Sequence, residues 1–530
     1  MSKTSDPAAV AKPAWRRWLL PMALLLALAA VVFFTVSQDA GHPWVSPVGT
    51  LAAWAVFVPA ALAVRRIPAR RAGAVVVLGS LLLGAAVLSA PPATSNDAAR
   101  YAWDGIVQSA GVSPYRYVPA DQALEQLRPQ WLFQAAAPDG SCRADLFPSG
   151  TEATSNIPGG TPLCTAINRP QVPTIYPALA EIYFLAVRLL PGAGANLLAF
   201  QLAGFALSLA VTVLLLRFLA LTGRPAHQGV WWAWSPLVLF EAINNAHVDV
   251  LGAAGVLVSV LLLSRGRVLG SGIAFGAAVA AKLIPAIAAP ALLYRRPLRF
   301  VLAALTTFAA LYLPYLLVSG TAVIGFLPGY LAAEGYQGSN GPRFTLLHMV
   351  LPDSWAAPAA ALLLVGLSFY VGRRVDPIQP WDKQTLMVGG TLLVVSPSYP
   401  WYALLLLPLV VLSRRYEYLS IPPVLAMMYF TGAEPYGQTA ARLGLLAAAF
   451  AIAITGWHRS RQAQRSSRRA RQSGRHAAAS GLLARAGQPA AATPPTTPAN
   501  PTGTASSSAA ATPPTTPANP TGPASSAAPQ

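Results

Sequence analysis

Asp97, Arg100, Tyr101, Asp104 and Gln108 sit three, four, seven and eleven residues from the first of them, in a polar patch (residues 96–108) that follows a long apolar run. On a helix this spacing puts all five on one face. A carboxylate there could take a proton from a hydroxyl, and an arginine could hold an anion. Placed at the water–lipid boundary, the set suits a reaction on a lipid head group. Asp97, nearest the membrane edge, is the expected general base; the alternative is a helix cap in front of Ala98. Asp104 is the second catalytic candidate, either binding a substrate hydroxyl or orienting Arg100, against the plainer reading of a solvated ion pair. Arg100, Tyr101 and Gln108 are expected to bind substrate.

Other candidates are scattered along the chain. Lys282 stands alone in an apolar hairpin, and a lysine at membrane depth is costly enough to suggest a function, with an anionic substrate as partner; the alternative is snorkelling to the surface. Arg343 follows a Gly-containing stretch (335–344) that could close over substrate, or it is an ordinary loop arginine. His247 and Asp249 follow Asn244-Asn245, where a turn explains Asn and Asp equally well. Glu241, inside an apolar run, is either protonated or faces a cavity. Trp401 and Tyr402, with Tyr399 and Tyr176, could stack on substrate or form an interfacial aromatic belt.

These residues must be held by membrane-spanning elements. Of the 530 residues 54% are hydrophobic and 10% charged, with a mean hydropathy of +0.49. That composition excludes a soluble domain and indicates an all-α polytopic membrane protein. The net charge of +19 does not imply nucleic acid. Its arginines cluster between apolar runs (Arg16-Arg17, Arg65-Arg66, Arg70-Arg71, Arg265 with Arg267, Arg295-Arg296, Arg373-Arg374, Arg414-Arg415), which marks the cytoplasmic side. Threading the apolar runs against these clusters gives spans near 18–36, 48–64, 73–90, 194–216, 229–243, 248–264, 268–281, 283–294, 300–318, 356–372, 384–395, 403–413, 419–432 and 440–456. This makes about fourteen transmembrane or half-spanning helices with both termini cytoplasmic. The hairpins 268–294 and 384–413 start and end beside basic clusters, so each crosses an even number of times or dips in and returns, and both are expected to wall a cavity open to the outer face. Of the 18 acidic residues only Asp6, Asp376, Asp382 and Glu417 fall inside, so the outer surface is the functional one.

The expected organisation is a cytoplasmic N-terminus (1–17), a transmembrane domain (18–457) with a large extracytoplasmic segment (91–193), a basic cytoplasmic stretch (458–487) against anionic lipid, and a disordered tail (488–530). In that tail the sequence of residues 492–503 recurs at 511–522. Cys142 and Cys164 share the outer segment and are expected to pair as a disulfide. The apolar segment 174–190, which carries Glu181 and Arg188, is read as an interfacial helix. No metal or cofactor motif stands out.

A set of motifs carries a family resemblance. It comprises Asp97, Arg100-Tyr101, Trp103-Asp104-Gly105, Gln108, Gly111 and Pro114-Tyr115; Ile167-Asn168 with Val172–Pro177; Asn245-Ala246-His247 with Asp249; Ala281–Pro285 around Lys282; and Ser396-Pro397 with Pro400-Trp401-Tyr402. In this order the motifs resemble the GT-C glycosyltransferases, specifically glycosyltransferase family 87. The chain departs from the pattern in having two spans before the span that leads into the acidic loop, and Ser113 where Asn is common. The resemblance implies transfer of a sugar, usually mannose or arabinose, from a polyprenyl-phosphate donor to an envelope glycolipid or polysaccharide at the outer face of the cell membrane. It also implies Asp97 as the catalytic carboxylate. The rival expectation is a transporter or flippase of an envelope lipid, which would share the many spans and the buried lysine but tends to show internal symmetry; none is evident here.

Overall fold

The computed structural model describes residues 15–486, apart from 39–41, 43, 143–151, 155–161, 191–195, 334–342 and 433. The expected tail at 488–530 and most of the 335–344 stretch therefore lie outside the described residues.

Nearly everything described is helical. The chain opens with α1 (Arg16–Gln38), α2 (Val45–Ala63) and α3 (Ala69–Val87), then α4 (Asp97–Ser109), which carries the polar patch. A small antiparallel sheet follows, with β1 (Phe133–Ala135) and β2 (Glu152–Thr154) flanking β3 (Leu163–Thr165). Cys142 is bonded to Cys164 of β3, with Cα atoms 5.7 Å apart. Next come α5 (Ala178–Leu189), α6 (Leu197–Leu221), the single turn α7 (Val230–Ala233) and a π-helix, Val238–Asn244. Then α8 (Asp249–Ser264) and α9 (Val268–Ala281) lead through a 3₁₀ segment, Ile284–Leu292, to α10 (Pro297–Ser319) and α11 (Leu327–Ala333). The chain continues with α12 (Asp353–Arg374), α13 (Trp381–Val395), α14 (Leu406–Ser413), α15 (Ile421–Thr431) and α16 (Pro435–Ala486). Residues up to Arg459 form one compact unit, and Ser460 onward forms a second.

Among the described residues seven helices are long and apolar enough to cross a membrane. The π-helix and α8, bent by 111°, make an eighth if taken as one broken span. Seven of the fourteen apolar runs thus form helices of full spanning length among the described residues. The 14 residues of α9 reach about 21 Å, short of a hydrocarbon core of about 30 Å. The apolar runs at 403–413 and 419–432 form α14 and α15 of 8 and 11 residues, shorter still.

Two features of the packing set up the site. Gly272 and Gly276, four apart on α9, let that helix lie directly on the backbone of α10: a Cβ at either would collide with the carbonyls of Phe300 and Ala304. The loop between α3 and α4 is tied down by two asparagines from the end of the π-helix. Asn244 Nδ2 donates to the Val87 carbonyl at 2.9 Å and its Oδ1 accepts from the Ala93 amide at 3.0 Å. Asn245 Oδ1 accepts from the Thr94 amide at 3.1 Å, and its Nδ2 donates to Thr94 Oγ1 at 2.7 Å. Both side chains are buried, so these bonds satisfy polar groups that water does not reach.

Candidate active site

Asp97 is the first residue of α4, and its carboxylate is engaged by side chains from three parts of the chain. Tyr176 donates its hydroxyl to Oδ2 at 3.0 Å, Tyr101 does so at 3.4 Å, and Asn168 Nδ2 approaches Oδ1 at 3.4 Å. His247 Nδ1 lies 3.5 Å from Oδ2. Asn96, not Asp97, occupies the cap position of α4, and the Asp97 oxygens turn toward these side chains. Burial alone would raise the Asp97 carboxyl. The hydrogen bond and charge of His247, then the charge of Lys282 and the Tyr176 hydroxyl, outweigh burial and hold it well below the usual carboxylate range.

His247 owes its place to the broken span. A π-helix shifts side-chain direction within a helix and recurs at functional sites. Here it ends at Asn244, and Ala246 takes a left-handed backbone (φ 56°) that turns His247 inward. The ring is fully buried, stacks on Trp401 with centroids 3.8 Å apart, and brings Nε2 to 3.3 Å from Glu241 Oε2. Asn245 Nδ2 donates to the same Glu241 oxygen at 3.1 Å. A carboxylate, an imidazole and a second carboxylate are thus in line, and the asparagines that pin the α3–α4 loop also fix the spacing between Asp97 and His247.

Lys282 ends α9 in extended backbone (φ −157°, ψ 143°) before the 3₁₀ segment begins. Its Nζ lies 3.2 Å from Asp249 Oδ2, 5.1 Å from the Tyr176 ring centroid and 6.0 Å from that of Tyr402. Tyr399 stacks on Trp401 at 4.7 Å, just before the 3₁₀ turn Pro400–Leu405. The breaks of both short hairpins therefore meet the start of α4.

A cavity of about 130 Å³ lies at this meeting point, lined among others by Asp97, Arg100, Lys282, Tyr176, Trp401 and Tyr402. Tyr101, His247 and Asp249 do not line it but touch residues that do. Asp104 and Gln108 lie deeper. Arg100 Nε donates to both Asp104 oxygens at 3.0 Å, and Gln108 Nε2 donates to Glu181 at 2.9 Å. Arg343 is buried with its charge acting on Tyr402 and is not among the lining residues.

Residues with no expected role also line the cavity. Arg169 adopts φ 55° and lies over the Phe326 ring at 5.9 Å, and Tyr330 donates to or accepts from Tyr402 at 2.8 Å. Asn168, in sequence only a member of a motif, and Tyr176 and Tyr399, whose types suit an interfacial belt, line it too. Glu181, expected on an interfacial helix, is instead fully buried where α5 packs on α4. Its sequence signal was an acid inside an apolar segment.

The arrangement combines a carboxylate (Asp97), three cations (Arg100, Arg169 and Lys282) and an aromatic wall around a space for a small polar group. Residues 174–397 match the model of glycosyltransferase family 87. The family is of GT-C type and implies a membrane glycosyltransferase. The family 87 match takes in Tyr176, Glu181, Glu241, His247, Asp249, Lys282 and Arg343; α4 precedes it and Trp401 and Tyr402 follow it. No curated protein and no solved structure matches the chain.

Proposed function

We propose that this glycosyltransferase moves a hexose or pentose, mannose by preference, from a polyprenyl-phosphate donor to an envelope glycolipid or polysaccharide at the outer face of the cell membrane. The observation that carries the reading is the single cavity shared by Asp97, Arg100 and Lys282. A base and two cations are what displacement at a sugar phosphate needs. The outward orientation is supported by α3, which carries Arg70 and Arg71 in its first turn, about 25 Å from its other end at Val87, where the chain runs on to α4.

In the proposed reaction the acceptor hydroxyl oxygen attacks the anomeric carbon while its proton passes to Asp97. The bond from that carbon to the phosphate oxygen breaks, and its electron pair leaves with polyprenyl phosphate. One displacement inverts the anomeric configuration, so a β-linked donor gives an α-linked product. Lys282 and Arg100 stabilise the charge that grows on the leaving phosphate. The donor phosphate also shields Asp97 from Lys282, which raises the proton affinity of the base once substrate is bound. Tyr399, backed by Trp401 and His247 in a stack, offers a ring face to the sugar, and the lipid chain lies among the apolar helices. Asp104, behind Arg100, orients that arginine. The purified chain, incubated with radiolabelled polyprenyl-phosphate mannose and a membrane glycolipid acceptor, is expected to produce labelled glycolipid. Lipid movement across liposomes with no sugar transfer would favour the flippase reading instead.

A further inference from the structure

α4 and α5 bury two carboxyl groups that the proposed reaction does not use directly. Asp104 is 1% exposed and Glu181 0%. Arg100 is fixed against the first of them: Nε bonds both Asp104 oxygens, and Nη1 donates to the Val172 carbonyl at 3.1 Å. Its Nη2 is buried with no hydrogen-bond partner, while Arg100 lines the cavity. An unsatisfied buried donor on a cation is costly unless a ligand meets it.

Glu181 is held by neutral donors. Thr174 Oγ1 donates to Oε1 at 2.7 Å and Gln108 Nε2 to Oε2 at 2.9 Å. Gln108 is itself oriented by the Tyr315 hydroxyl, 2.7 Å from its Oε1. Glu181 and Asp104 also meet side chain to side chain. Two carboxylates cannot hydrogen-bond each other, so this contact needs one proton. Asp104 has the guanidinium to balance its charge, which leaves the proton to Glu181.

We propose that Asp104 and Glu181 share one proton, resident on Glu181, and that this pair is a positioning device that holds Arg100 toward the cavity with Nη2 left to meet an anionic group of the donor. The proposal rests on the phosphate reading of that cavity. The Glu181 hydroxyl donates to Asp104 and draws charge away from it, so Asp104 anchors Arg100 without fully cancelling its field. With both acids ionised, the cluster would carry a net negative charge behind the donor phosphate and oppose binding. Burial, with the charge of Asp104, pushes the Glu181 carboxyl well above its ordinary range. The other titratable groups facing Glu181 are Arg100 on α4, Tyr115 in the loop beyond α4, and Tyr312 and Tyr315 on α10. α9, also packed on α5, carries no charged residue, and the one on α6, Arg217, lies near its far end.

The test uses the full chain in nanodiscs and two readouts. Infrared spectroscopy as a function of pH reads a buried protonated carboxyl, and binding of polyprenyl phosphate reads the Arg100 site. The wild type is expected to show the carboxylic-acid band at neutral pH and to lose it, together with at least ~10-fold in affinity, at alkaline pH, as a cation at a phosphate loses its effect. Glu181→Gln, which mimics the protonated acid, should lack the band and bind with a flat profile over the same range. Absence of the band in the wild type overturns the shared proton, and so does an unchanged alkaline loss of affinity in Glu181→Gln. If Glu181→Gln fails to fold, the wild-type titration decides by whether band and affinity fall together. An intact band with no polyprenyl-phosphate binding at any pH overturns the phosphate reading, and the role of the pair falls with it.

Discussion

Lys282 pairs with Asp249 in this structure and is proposed to meet the donor phosphate, and a double substitution separates the two roles. Its Nζ lies 3.2 Å from Asp249 Oδ2, with the two side chains 14% and 3% exposed. Lys282→Met removes one partner of a buried pair and strands Asp249 as an uncompensated charge, which costs about 3–5 kcal/mol of stability. The same change removes a cation from the donor phosphate. A hydrogen bond to a charged group contributes about 1.5–3 kcal/mol, so affinity for polyprenyl phosphate should fall roughly 10- to 100-fold. Lys282→Met with Asp249→Asn leaves no stranded charge. The double variant is expected to regain most of the thermal stability and none of the affinity. Unfolding in detergent followed by fluorescence, and titration with polyprenyl phosphate, give the two numbers. A double variant that binds polyprenyl phosphate like the wild type would refute the phosphate role and leave Lys282 as a structural partner of Asp249.

Three further outcomes follow from the geometry. Asp97 must be ionised to act as a base, and His247 helps hold its carboxyl low, so kcat/KM for the wild type should not fall as pH drops toward the ordinary carboxylate range. His247→Gln leaves burial less opposed and should bring an acid limb to higher pH; a limb that does not move would remove His247 from the electrostatics of Asp97. Replacing both Cys142 and Cys164 with Ala opens a link between residues 22 apart and should cost about 3 kcal/mol of stability, with transfer per folded molecule retained; activity lost at unchanged stability would contradict this. Gly276→Val places side-chain atoms against the Ala304 carbonyl and should separate α9 from α10, lowering the melting temperature and, through Lys282 at the end of α9, donor affinity; a variant as stable as the wild type would show that the two helices can part without cost.

Much of the helical architecture can be read along the chain, because composition and basic clusters act locally. The 3.6-residue spacing from Asp97 to Gln108 placed these residues on one helix, and α4 spans Asp97–Ser109. The number of crossings was less legible. Apolar runs such as 268–281 and 403–413 look like spans because burial within protein and burial in lipid select the same side chains, and only length separates them. The face of α4 was also ambiguous. Asp97 and Arg100 reach the cavity, whereas Asp104 and Gln108 turn to α5, since the partner helix decides which part of a polar stripe meets water. The contact of His247 with Asp97 spans 150 residues and depends on a π-helix and a left-handed Ala246, neither of which leaves a periodic signal. Arg169 was missed for the same reason: its place depends on a positive φ in a loop.

The proposed reaction turns on Asp97 taking the proton of the acceptor hydroxyl. The direct measurement compares wild type and Asp97→Asn, both verified as folded, for binding of radiolabelled polyprenyl-phosphate mannose and for its transfer to a membrane glycolipid. Asparagine keeps the size and hydrogen-bonding capacity of Asp97 and loses its basicity. The expected result is donor binding close to wild type with transfer reduced ~100-fold or more, the scale of a lost general base. Transfer by Asp97→Asn at the wild-type rate would show that Asp97 is not the base.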